Sequence, residues 1–242
     1  MLILRAIGPG GGLPSQSPFV MKAMGFLHVL GLDWQVDTKA DIRKQPNGKL
    51  PVLVDGDKVI PDSAAIALYL QEKAGRWLDA GLSEYEKAVS HTVIRMAEEH
   101  LYFLAVYNRW ADEENFATLR PSLQKIAPFP MSNILPGIIR KGVLKLVDAQ
   151  GIGRMSDELR LARLKADLDA LDAVLAGKEW MFDGGPGAAD LSVAPMIATL
   201  TKSPADTAMH REILARPGLV AYGERALAEL FPAPDALPFP PR

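Results

Sequence analysis

The chain has 242 residues, a length that favours two domains of ordinary size over one minimal one. Hydrophobic residues make up 48%, enough for a substantial core, and the lack of any cysteine excludes disulfides, thiolate metal ligands and every cysteine nucleophile. A net charge of −2 with the two signs interspersed gives no basic footprint for nucleic acid and no polybasic patch for an anionic membrane, so a small or neutral partner is favoured.

The first residues, Met1 to Ile7, are too short an apolar run for a secretory signal, and no stretch approaches the ~20 apolar residues that span a bilayer. A cytoplasmic protein is expected. Leu2 to Ile7 suits a buried strand that the Gly/Pro segment Gly8 to Pro14 ends. A helix follows, with Ser17 as N-cap, Pro18 in the first turn and Gly31 as its stop. Trp34 to Asp37 alternates like a short strand. Pro51 to Val54 and Lys58 to Ile60 form two more strands, joined by the turn Asp55-Gly56-Asp57, and a helix runs from Asp62 to Ala74. This order, a βαβ unit followed by a hairpin and a helix, is the plan of an α/β thioredoxin-like fold.

After Gly75 no further strand is legible. Helical patterns cover Ser83 to Ala111, Ile134 to Val147, Ser156 to Leu175, Ala188 to Thr201 and Pro217 to Leu230, the signature of an all-α domain. The expected boundaries are 1–76 for the thioredoxin-like domain and 83–231 for the helical one, with 232–242 as an extended, proline-rich tail.

Several residues invite chemistry. Ser17 stands where the first helix begins, the place where helix amides and dipole would stabilise a thiolate. Either it only caps the helix, or its hydroxyl donates to a thiolate that arrives with a ligand, with Ser15 in the preceding loop as the next candidate. Pro51 can simply open a strand, where a missing amide costs no ladder bond, or the Leu50-Pro51 bond can be cis and turn the Leu50 backbone toward a peptide-like ligand. Asp62-Ser63 opens a helix after Pro61, and its free amides, hydroxyl and carboxylate suit both ends of an α-amino acid; simple capping is the alternative. Gly187-Ala188-Ala189-Asp190 has the spacing of a capping box but lacks the usual serine or threonine, and is assigned to folding. His28, His91, His100 and His210 show no ligand spacing, so no metal is expected, and there is no G-x-S-x-G elbow.

Together, Ser17-Pro18-Phe19, Leu50-Pro51 and Asp62-Ser63 resemble, in order and spacing, the glutathione site of glutathione transferases. Lys49 to Leu70 is similar to that family's N-terminal domain throughout, and Gly187 to Ala198 to the helix that anchors its C-terminal domain. The resemblance implies glutathione as co-substrate, with Ser17 at the sulfur, Leu50 pairing with the cysteinyl backbone, and Asp62 and Ser63 holding the γ-glutamyl end. Phe19, Lys49 and Pro51 complete the implied glutathione-binding set. It also implies a homodimer and a hydrophobic electrophile, for which Tyr102, Val106 and Trp110, at i, i+4 and i+8 of one helix face, offer walls unless they are plain core. Bringing a thiol from ~8.5 to about 6.5 takes ~2.7 kcal/mol of preferential thiolate stabilisation.

The long Gly8 to Gln16 loop, the Glu98 to Trp110 helix and the Gln150 to Arg154 segment are similar to the failed axon connections and metaxin-like branch. Val20 departs from relatives that carry a cysteine there. Conjugation, dehalogenation, isomerisation and peroxide reduction all remain open. A non-catalytic interaction protein of metaxin-like type is the rival reading, whereas a dithiol oxidoreductase is excluded by the absence of cysteine.

Overall fold

The computed structural model describes residues 1–239. Its one sheet is built from β1 (Leu2–Arg5), β2 (Trp34–Asp37), β3 (Val52–Asp55) and β4 (Lys58–Pro61), in the order β2-β1-β3-β4. β1 runs parallel to β2 and antiparallel to β3, and β3 runs antiparallel to β4. Leu2 and Leu4 alternate into the core as a period of two requires, and Gly56 takes the positive φ of 59° that the hairpin turn needs. Helix α1 (Pro18–Val29) crosses between β1 and β2, and α2 (Ser63–Ala74) follows the hairpin and ends on Gly75 in the left-handed conformation.

The other helices are α3 (Glu84–Met96), α4 (Tyr102–Ala111), α5 (Glu113–Gln124), α6 (Met131–Gln150), α7 (Asp157–Leu175), α8 (Ala188–Thr201), α9 (Ala208–Leu214) and α10 (Pro217–Leu230). The run expected as one helix from Ser83 to Ala111 carries a π turn over Ala97–Leu101, whose wider ring separates α3 from α4. α5 and α9 were not expected. The segment holding α5 is polar and broken by Pro121, Pro128 and Pro130, which hides its period; Asp112 nonetheless caps it, its carboxylate accepting from Asn115 N–H at 2.8 Å.

α1 is apolar on nearly every side, as a helix between two layers must be. One face covers the sheet, and another packs on α8, whose Leu191, Val193, Ala194 and Ile197 are fully buried. Gly25 permits this approach, since a Cβ there would lie 2.7 Å from the Phe231 ring and 2.8 Å from Leu191. The two halves therefore share one continuous core. A buried ion pair also spans them: Lys22 of α1 reaches Glu98 of the π turn at 2.5 Å, and Arg95 pairs with the same carboxylate.

The start of α8 is held from two directions. Asp190, wholly buried, accepts Gly187 N–H (2.8 Å) on one oxygen, and Met181 N–H (3.0 Å) and the Tyr222 hydroxyl (3.0 Å) on the other. Asp79 reaches in from the segment between α2 and α3, accepting Ala188 N–H at 2.8 Å and the Ser90 hydroxyl at 2.8 Å. A Cβ at Gly187 would sit 2.8 Å from that same Asp79 oxygen, so the glycine that leaves the capping box half formed makes room for a cap from elsewhere.

Beyond α10 the chain lies back on the protein without forming a helix up to Phe239. Leu237 is buried, and Val36 N–H donates to Pro238 C=O at 2.9 Å, which covers the outer edge of β2. Pro240, Pro241 and Arg242 of the proline-rich segment lie outside the described residues.

Candidate functional site

Strand register brings three chain segments to one end of the sheet. Arg5, the last residue of β1, pairs with Val52, the first of β3, and Val52 pairs with Pro61, the last of β4. The exit of β1, the Leu50-Pro51 entry to β3 and the Asp62-Ser63 start of α2 are thereby neighbours. The loop after β1 is nine residues of Gly8 to Gln16 that return to their origin: the Ser15 hydroxyl donates to Ile7 C=O at 2.7 Å, and Gln16 N–H to Gly8 C=O at 3.1 Å. Ser17 is delivered beside the strand end.

At Ser17 the cap is long. Its hydroxyl oxygen accepts Val20 N–H at 3.5 Å, at the outer limit of a hydrogen bond, and the residue is half-buried. Accepting uses the oxygen and leaves the hydroxyl hydrogen for another partner, so capping and donation to a ligand are compatible at this residue. Ser15 does not share that freedom. It is fully buried, gives its hydrogen to Ile7 and accepts Ser17 N–H at 3.1 Å, so it shapes the loop and is no alternative donor. Val20 is plain core.

The Leu50-Pro51 bond is cis, and among the described residues no backbone group pairs with the Leu50 amide or carbonyl. Lys49 beside it is exposed. Asp62 has φ 75° and ψ 132°, a region costing a non-glycine residue on the order of 1–3 kcal/mol. Its Oδ1 accepts the Ala64 and Ala65 amides at 2.8 and 3.1 Å, leaving Oδ2 exposed and without a partner among the described residues. Ser63 is buried at the first position of the helix, under Asp62.

α4 meets this region at two points. Tyr102 stacks edge-on against Phe19 at 4.7 Å between centroids, and Arg109 donates from Nη1 to Gln16 C=O at 3.0 Å. Burial pushes the Tyr102 phenol up and the Arg109 guanidinium down from their ordinary values. Between the Gly8 to Gln16 loop and the helices lies a cavity of about 270 Å³, with Leu13 and Gln16 on one wall and Ala105, Asn108 and Arg109 of α4 on another. None of Tyr102, Val106 and Trp110 lines it. Trp110 packs on Phe116 at 6.0 Å, and Arg140 lies over the other ring of that pair, Phe116, at 4.5 Å. The cavity face of α4 is the adjoining one, and its only sequence signal is an arginine in an otherwise uncharged helix. A second hollow, about 540 Å³, opens on the other side of α4 between Tyr107, Asp157 and Met209.

A small mixed sheet covered by α1 and α2, joined through α1 to a helical bundle, defines a thioredoxin-like domain carrying an all-α partner. The glutathione S-transferase N-terminal domain family model matches residues 18–115, and the glutathione S-transferase C-terminal domain model residues 147–225. The isoprene-epoxide–glutathione S-transferase of Rhodococcus sp. (strain AD45) is 30% identical over 232 residues, covering 93% of this chain and 97% of that one. Failed axon connections of Drosophila melanogaster is 29% identical over 239 residues, 93% of this chain and 57% of that longer protein. Glutathione S-transferase III in apo form has a similar fold, with a TM-score of 0.61 at 23% identity over 100% of this chain and 99% of that one. The chain belongs to the glutathione S-transferase family.

Proposed function

We propose that the protein is a glutathione transferase that binds glutathione at the end of the sheet, stabilises its thiolate and transfers it to a small electrophile. The observation that carries this reading is Ser17: a half-buried hydroxyl at the start of α1 with its hydrogen uncommitted, beside the open Leu50 backbone and the strained Asp62. Asp62 Oδ2 and the Ser63 hydroxyl suit the ammonium and carboxylate of a γ-glutamyl group, the Leu50 amide and carbonyl suit a peptide backbone, and Ser17 then lies at the sulfur. Phe19, Lys49 and Pro51 frame the same ligand. Ser17 and the α1 amides favour the ionised thiol without taking part in bond making.

Among electrophiles an epoxide is the first to try, because the Rhodococcus relative is named for isoprene epoxide. The bound thiolate supplies the electron pair for the new C–S bond while the epoxide C–O bond breaks, and the resulting alkoxide takes a proton from solvent. Calorimetry with glutathione, followed by mass detection of the adduct with 1,2-epoxybutane, tests the reading. Saturable binding and enzyme-dependent adduct are expected; no binding at millimolar glutathione contradicts it.

The likeness to Failed axon connections favours, as a second reading, a protein of the same fold that works as an interaction surface. Binding without turnover of any electrophile would select it. We further propose a cytoplasmic homodimer. Exposed Leu68, Trp77 and Tyr85 support a second copy, and light scattering measures the mass.

A further inference from the structure

We infer that the cavity between the Gly8 to Gln16 loop and α4 binds a carboxylate, so that the second substrate is a small anionic electrophile held by Arg109. The substrate assignment rests on the transferase reading above; the anion site does not. Arg109 is the starting point. Its side chain is half-buried, and burial depresses its pKa, yet its one hydrogen bond among the described residues goes to a neutral carbonyl, that of Gln16. Arg140, Arg160 and Arg216 meet carboxylates, those of Glu113, of Asp157, and of Asp169, Asp172 and Glu212; Arg5 and Arg225 meet neutral oxygens, of Gln45 and Glu179, but do not line this cavity. A half-buried cation that borders a cavity without a countercharge is an arrangement that an anion improves.

The surroundings fit that ligand. The cavity lining includes Arg109 and Lys202 and no aspartate or glutamate. Asn108, next to Arg109, is only 7% exposed, and its side-chain amide has no partner among the described residues, although its backbone carbonyl accepts from Asn115. One guanidinium N–H is committed to Gln16, which leaves the fork geometry that grips a carboxylate through two parallel bonds. A volume of about 270 Å³ is below the usual range for drug-sized ligands and suits a compact acid. Gln16, which precedes Ser17, lines the cavity, and this is the link between the anion site and the proposed sulfur position.

A latch that merely fastens the loop would use Arg109 just as the Gln16 contact shows, and the test must tell latch from site. Benzoate and benzamide have nearly the same shape and differ in charge. Titrated by calorimetry into the full chain without glutathione, benzoate is expected to bind at least tenfold more tightly than benzamide. Arg109→Gln should lose that preference, with benzamide unchanged, and Arg109→Lys should recover part of it. Equal binding of the pair, binding of neither, or a preference that survives Arg109→Gln in a protein with wild-type thermal unfolding overturns the anion site. The wild-type comparison stands even if the glutamine variant does not fold. With glutathione present, oxirane-2-carboxylate should be conjugated with at least tenfold higher kcat/KM than oxirane-2-carboxamide, and the reverse order overturns the substrate class. If neither is conjugated while 1,2-epoxybutane is and the benzoate preference holds, the anion site stands and the substrate class falls; if 1,2-epoxybutane is not conjugated either, the anion site stands and the transferase reading falls.

Discussion

Two helix N-termini in this protein start from the same chemistry and end in opposite states. At α8 the opening amides are met by carboxylates: Asp190 uses both oxygens on three buried donors, and Asp79 arrives from the linker to take the Ala188 amide. At α1 the cap is a serine at 3.5 Å, half-buried, with no carboxylate near the first turn. Two carboxylates make the first a staple. Incompleteness makes the second a place where a ligand can supply what the chain does not, because helix amides and a hydroxyl hydrogen remain to be met.

The largest effect is expected at the carboxylate-capped end. Asp190→Ala strands three buried donors at about 1–3 kcal/mol each, and with partial relaxation it should lower unfolding stability by ~3–5 kcal/mol in urea titrations. A loss below ~1 kcal/mol would mean that α8 is not stapled as described. The sign of its pH dependence is also set. Burial raises the Asp190 carboxyl above its ordinary 3.8, so the folded state holds this proton more tightly than the unfolded one. Wild-type stability measured against Asp190→Asn should therefore fall as pH rises from the unfolded value through the raised folded one.

A smaller effect probes the cap from the linker. Asp79→Ala should cost about 1–2 kcal/mol, and Gly187→Ser about 1–3 kcal/mol, since its Cβ would crowd the Asp79 carboxylate. Combined, the new serine can cap α8 in the space the aspartate vacates, so the double mutant should be more stable than the sum of the singles predicts by ~1 kcal/mol or more. Strict additivity in chemical denaturation would show that the two residues do not compete for one position.

This comparison also shows what could be seen in the sequence. Alternation at Leu2 and Leu4, the Asp55-Gly56-Asp57 turn and the serine before Pro18 are local signals, and they sufficed for the sheet, α1 and α2. Gly187 looked like a defective box because its cap, Asp79, lies 109 residues from the amide it meets. Arg109 was equally invisible as a site residue, since its meaning depends on burial and on the lack of a neighbouring carboxylate, neither of which has a period along the chain. Tyr102, Val106 and Trp110 share one face of α4 by helical spacing, yet spacing does not tell which of two adjoining faces borders a cavity.

The smallest structural effect belongs to Ser17, and it carries the central claim. Ser17→Ala removes only a long cap bond and should cost at most ~1 kcal/mol of stability. If the hydroxyl hydrogen is spent on bound glutathione, the same change should raise the pKa of the bound thiol by about 1–2 units with little loss of glutathione affinity, because the contacts proposed at Leu50, Asp62 and Ser63 are untouched. The direct measurement is thiolate absorbance of the glutathione complex against pH, for wild type and Ser17→Ala side by side. A titration midpoint below the free thiol's in wild type, shifted upward in the variant, is the predicted result; superimposable curves would contradict the account and leave Ser17 as a cap alone.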